Sequence, residues 1–147
     1  MDFAQTQKVL WLNRAFHADK KAKALEAKAE YDRSIAERLT RSCSGTGGTA
    51  SENSTEDALI RLAETERLLH EELQKLVQIR YEITLAISSV DDIDMQAILM
   101  LHFLAYETFE EIAEKLNYSR ATIMRKYKKS LEKMILNDTL KCDKIVV

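Results

Sequence analysis

Residues Thr108–Leu131 read TFEEIAEKLNYSRATIMRKYKKSL, two short amphipathic runs joined at Asn117. Thr108 is suited to cap a helix, and Glu111 stands three residues on, where its carboxylate can reach back to the capping amide. Ile112, Ala113 and Leu116 then share one helical face. Ala113 is small where a second helix has to cross closely. Asn117 is the non-glycine residue that best tolerates positive φ, so it suits a left-handed stop. Ser119 is a good N-cap for a second helix. Ile123, Tyr127, Leu131 and Met134 bring that helix back to the shared core. This spacing predicts a helix-turn-helix.

The second helix, expected over residues 120–136, turns a different face outward. Arg120, Ala121, Met124, Arg125 and Lys128 fall on it, with Lys129 beside them. Arginines can bond guanine edges in pairs, and a short side chain such as Ala121 can touch a thymine methyl. Lysines further along reach phosphates, and the helix start at Ser119 attracts a phosphate too. The expected DNA-contacting set is Ser119, Arg120, Ala121, Thr122, Met124, Arg125, Lys128 and Lys129. A basic stretch by itself usually means only a solvated helix in a bundle. Here two caps, a small crossing residue, an Asn turn and a return to the core agree at one spacing, which favours the DNA reader. Lys126 stands where such motifs usually place an aliphatic residue. Either its stem packs and its ammonium escapes to water, or Tyr127 takes over the core position.

Working outward, the 147-residue chain has no proline, and its three glycines (Gly45, Gly47, Gly48) lie in one short stretch. Breakers confined to one place imply long helices elsewhere. The net charge of −2 argues weakly against a nucleic-acid partner, but its distribution does not. Asp91, Asp92, Asp94, Glu107, Glu110, Glu111 and Glu114 form an acidic block, and Arg120, Arg125, Lys126, Lys128, Lys129 and Lys133 a basic one. Asymmetry of this kind is what matters for DNA, while most of the acids fit the first turns of two helices. Cys43 and Cys142 lie far apart, and neither a signal peptide nor a membrane-spanning run is evident. Such usage fits a reduced, cytoplasmic protein.

Two long segments precede the motif. From Phe3 to Arg41, Trp11, Ala15, Ala18, Ala22, Leu25, Ala29, Asp32, Ala36 and Leu39 make a heptad seam of mostly small residues. Residues 40–54, rich in Ser, Thr and Gly, read as a flexible loop. From Thr55 to Ser89, with Ser54 as N-cap, Leu59, Leu62, Glu66, Leu69, Leu73, Leu76, Arg80, Ile83 and Ile87 make a second seam. Folded back on each other, the segments pair Ala36 with Leu62, Ala29 with Leu69 and Ala22 with Leu76. The same register sets Asp32 against Glu66, a clash that a shift of one heptad would avoid. A parallel coil between two copies is the competing use of either seam. Asp91 or Asp92 then caps a third helix for the motif, carrying Ile93, Ala97, Ile98, Leu101, Phe103 and Leu104. The expected division is residues 1–89 as the hairpin, 90–137 as the helix-turn-helix domain and 138–147 as a tail, in which Ile145, Val146 and Val147 are apolar.

The search for chemistry beyond this yields no catalytic residues. His17, His70 and His102 are isolated, His70-Glu71-Glu72 lacks the second histidine of a zinc-protease helix, no Cys/His spacing suits a metal, and no nucleophile signature is present. An enzyme is not expected, and no cofactor or metal is implied.

Residues from about Asp94 to Met134 are similar to region 4 of bacterial sigma-70-type factors. The resemblance lies in Glu110-Glu111-Ile112-Ala113-Glu114-Lys115-Leu116, Tyr118-Ser119-Arg120, Thr122-Ile123, Arg125 and Ser130-Leu131. The whole chain resembles a phage- and prophage-encoded family with that C-terminal domain, related in organisation to late transcription regulators of the RinA and ArpU type. A Ser/Gly-rich break followed by a long Leu-rich helix is part of that likeness. The chain departs from it before the motif, where Leu104-Ala105-Tyr106-Glu107 replaces a turn that often holds Gly. The resemblance implies transcriptional regulation by DNA binding, with RNA polymerase as a second candidate partner. The expected fold is all-α: a long antiparallel helical hairpin, coiled-coil-like, followed by a small three-helix helix-turn-helix domain. Expected partners are double-stranded DNA and, through the hairpin, a second copy, with no membrane. The alternatives are a sigma-like adaptor that binds polymerase and a coiled-coil interaction protein that binds no DNA.

Overall fold

The computed structural model describes residues 2–43 and 49–136. Among them are six α-helices and no strand: α1 (Phe3–Leu12), α2 (Arg14–Cys43), α3 (Thr49–Ser88), α4 (Ile93–Phe103), α5 (Phe109–Leu116) and α6 (Arg120–Lys133). The protein is all-α, as its scarce breakers predict. Two boundaries differ from expectation. The first segment is interrupted at Asn13, a poor helix former, where Arg14 Nε donates to the Trp11 carbonyl at 3.1 Å. The polar stretch 40–54 is mostly helix rather than loop. α2 runs to Cys43 and α3 begins at Thr49, so Ser54 lies inside α3 and is not its N-cap. Extending an existing helix avoids the cost of nucleation, and the Ala and Glu residues there favour it. The glycine run 44–48, the tail 138–147 and Cys142 lie outside the described residues.

Contacts divide the chain into two compact units, Met1–His17 with Val77–Val147, and Ala18–Leu76. The first unit is built on one apolar cluster. Trp11, Leu12 and Ala15 from the N-terminal stretch join Ile83, Ala86 and Ile87 of α3 in the same core as Ile98 and Leu99 of α4, Ile112 and Ala113 of α5, and Ile123, Tyr127 and Leu131 of α6. Burial of this many large side chains is the main stabilising contribution, at roughly 1.5–3 kcal/mol each. The unit therefore draws on residues well outside 90–137. α4 is capped by Asp92, whose carboxylate accepts from the Met95 amide at 3.1 Å. Its buried face is Met95, Ile98, Leu99 and Phe103, whereas Ile93, an expected core residue, is exposed.

The second unit is an antiparallel pairing of α2 and α3. Lys21 reaches Glu72 at 3.0 Å, Lys28 and Asp32 both reach Thr65 at 2.8 Å, and Arg33 reaches Glu66 at 3.0 Å. Ala22, Ala29 and Ala36 of α2 are buried, as their seam predicts. On α3 the expected stripe is kept at Leu76, Ile83 and Ile87, which are buried, and at Leu62 and Leu69, which are half-buried, but its other row is displaced by one residue. Ala58, Thr65 and Glu72 are buried, while Leu59 is 50 % and Leu73 37 % exposed. The alanine seam brings the backbones close, and at the layers of Ala58, Thr65 and Glu72 small or well-partnered residues fill the space that Leu59 and Leu73 were expected to take. The predicted clash of Asp32 with Glu66 is resolved without a heptad shift. Asp32 turns to Thr65 and Lys28, and Glu66 turns to Arg33. The hydrogen bond from Thr65, then that from Lys28, holds the Asp32 carboxyl below its ordinary range. Lys21 does the same, first and foremost, for Glu72.

Candidate nucleic-acid interface

The helix-turn-helix is assembled by its own local bonds. Thr108 Oγ1 accepts from the Glu111 amide at 3.3 Å and Glu111 Oε2 accepts from the Thr108 amide at 2.8 Å, closing the predicted capping box. Asn117 stops α5 in the left-handed region, with φ 59 and ψ 40. Ser119 Oγ accepts from the Thr122 amide at 3.2 Å and starts α6. Ile123, Tyr127, Leu131 and Met134 are all buried. Burial among apolar neighbours pushes the Tyr127 hydroxyl up to about 12, so it stays neutral. α6 ends at Lys133, short of residue 136, because Met134 turns extended at ψ 128.

The residues expected to touch DNA keep their outward setting. Ser119, Arg120, Ala121, Arg125, Lys128 and Lys129 are exposed, and Thr122 and Met124 are half-buried. The described protein thus leaves Arg120, Arg125 and Lys128 uncovered, a condition that any groove-reading role requires.

Lys126 behaves differently from its neighbours. Its side chain is only 22 % exposed. The ammonium lies 5.1 Å from the centre of the Tyr118 ring and 3.3 Å from Asp94 Oδ2, which also accepts from the Tyr118 hydroxyl at 2.7 Å. Both bonds, that from Tyr118 first, hold the Asp94 carboxyl below its ordinary range. The two possibilities for Lys126 are therefore met together. Tyr127 fills the core position, and the Lys126 stem packs, but its charge goes to an acid of α4 rather than to water. This three-residue clasp joins the start of α4, the α5–α6 turn and the first half of α6.

The turn before α5 shows what replaces the usual glycine. Tyr106 itself adopts φ 60, a conformation that costs a residue with a Cβ about 1–2 kcal/mol. Its hydroxyl accepts from Arg80 Nη1 at 3.3 Å and donates to the Ala15 carbonyl at 3.3 Å, and its ring meets Phe16 edge-on at 5.5 Å. Those contacts hold the strained backbone in place. Farther along, Lys8 of α1 donates to the Leu131 carbonyl at 2.7 Å, so an N-terminal residue closes the last turn of α6. A cation there is favoured by the helix dipole. Sequence reasoning missed the clasp, the Tyr106 bonds and Lys8. Their hydrogen-bond partners lie 24 to 123 residues away in the chain, and no periodicity links them.

Among the described residues no His, Cys, Asp and Glu cluster is arranged to hold a metal ion, and no helix is long and apolar enough to cross a membrane. Neither the curated proteins nor the solved structures contain a match to the chain. Residues 92–134 match the family described as sigma-70, region 4, and this segment of the chain is a sigma-70 region 4-like helix-turn-helix, a DNA-binding rather than a catalytic type of domain.

Proposed function

We propose that the protein is a sequence-specific transcriptional regulator of phage type, in which α6 lies in the major groove and the hairpin within residues 1–89 holds a partner or a second copy. The observation that carries this reading is the outward row Arg120, Arg125 and Lys128 on a helix capped at Ser119. Arg120 and Arg125 take the base edges, and Lys128 and Lys129 the phosphates. Ser119 presents the helix N-terminus to a phosphate, and Ala121, Thr122 and Met124 supply close apolar or hydroxyl contact. The phage-type assignment is supported by the likeness in organisation, a polar break and long Leu-rich helix ahead of the region 4-like domain. The reading places the protein in the cytoplasm with its DNA.

The test is selection of duplexes from a random pool at fixed salt, followed by Arg120→Ala plus Arg125→Ala. Affinity for the selected duplex should fall by about 2–6 kcal/mol, at roughly 1–3 per good base contact. Unchanged affinity in the double variant would remove α6 from the role of reader. A palindromic site would indicate a two-fold dimer, and a single half-site a monomer. The adaptor alternative needs an apolar patch at Leu104 and Tyr106 for polymerase. Both are half-buried, and Arg80 binds the Leu104 carbonyl and the Tyr106 hydroxyl, so this surface does not favour it.

A further inference from the structure

We infer that Glu110 is a specificity-determining residue, which sets how Arg120 is presented to the base pairs. The inference rests on α6 being the groove-reading helix and adds a residue of α5 to the reading machinery.

Arg120 is the first residue of α6, and Glu110 lies in the first turn of α5. Arg120 Nε stands 2.8 Å from Glu110 Oε1, and the two side chains are 65 % and 63 % exposed. Among the described residues Arg120 has no other polar partner. A pair this exposed contributes little to stability, so the fold does not depend on it. Its geometry bears on recognition instead. The guanidinium is a rigid planar fork. The ion pair draws the guanidinium toward α5 on its Nε side and leaves Nη1 and Nη2 unused, and two parallel N–H groups are what a guanine O6/N7 edge accepts. The Glu110 charge has a second effect. It neutralises Arg120 locally and repels phosphate, so Arg120 is kept from the backbone contact that a free arginine at a helix start would make on any sequence. Glu110 thereby exchanges non-specific attraction for base discrimination.

The experiment uses the full chain as wild type, Glu110→Gln, Arg120→Ala and the double variant. Each is assayed against the wild-type selected duplex, its single-base-pair variants and an unrelated duplex at one salt concentration. Glu110→Gln should lose roughly tenfold of the discrimination at one base pair, while binding the unrelated duplex more tightly. In the Arg120→Ala background the same change should leave discrimination where Arg120→Ala alone puts it, a non-additivity that marks action through Arg120. A loss of folding stability would weaken all duplexes alike and could not produce this pattern. Discrimination that is unchanged in Glu110→Gln, or lost equally in both backgrounds, overturns the proposal and leaves the DNA-reading function standing. If wild type selects no duplex at all, the functional reading fails and the proposal fails with it.

Discussion

The helix-turn-helix and the α2–α3 hairpin both pack successive helices against each other, yet they are specified in different ways. In the first, each reversal carries its own chemistry: a capping box at Thr108, a left-handed Asn117 and a Ser119 cap. Large side chains such as Ile112, Ile123 and Leu131 then fill a shared core. In the hairpin, alanines form the close face of α2, and the opposing face of α3 holds Ala58, Thr65 and Glu72. Two of those three are polar, and they are held by bonds from the other helix. The motif is thus specified by bonds that each turn makes to itself. The hairpin is specified in part by which side chains its opposite helix can satisfy, and Leu59 and Leu73, which look like core, are left outside.

The largest expected effect tests whether the two regions are separately held. Ile123→Ala should destabilise the unit containing the motif by about 2–5 kcal/mol. Trp11, the only tryptophan, is buried in that unit and reports on it by fluorescence. Its transition should move to lower temperature while part of the helical circular dichroism melts at the wild-type midpoint. A single coincident shift in both signals would show that the units unfold as one and would erase the distinction.

A smaller effect sharpens the local half of the comparison. Asn117→Ala should cost about 1–2 kcal/mol, because alanine lacks the tolerance for φ 59. Asn117→Gly should be close to neutral. Equal stability of the Ala and Gly variants in chemical denaturation would mean that the turn, not its residue, dictates that backbone.

The smallest effect addresses the hairpin. Thr65→Val should cost about 1 kcal/mol at neutral pH for the lost hydroxyl bonds. It should also change the acid limb. A carboxyl held below its ordinary value stabilises the fold above its unfolded pKa, 3.8 for Asp32, and loses that contribution as pH falls through the folded value. Wild type should therefore lose hairpin stability below about pH 4, and Thr65→Val should lose less over that interval. Identical acid limbs in the two proteins would exclude Thr65 as the source of the Asp32 shift.

Much of the motif was legible in advance because capping, left-handed stops and helical periodicity act over three or four residues. The same rules identified the Ala22, Ala29 and Ala36 seam and the antiparallel pairing. They erred on the opposing stripe, choosing Leu59 and Leu73 over Thr65 and Glu72. Hydropathy ranks a residue by its own surface and not by the hydroxyl, ammonium or carboxylate that will meet it. They erred also within residues 40–54, where Ser, Thr and Gly content suggested a loop and residues 40–43 and 49–54 are helix.

By itself, the amino-acid sequence determined the all-α class, the helix-turn-helix with its caps, and the outward cationic row on α6. Only the tertiary structure decided that Trp11 and Lys8 from the N-terminus complete the unit holding that motif, that Lys126 is drawn to Asp94, and that Arg120 is paired with Glu110. The first set follows from bonds and periodicities within a few residues. The second depends on which distant side chains packing brings together, in the core or within reach of a hydrogen bond or ion pair.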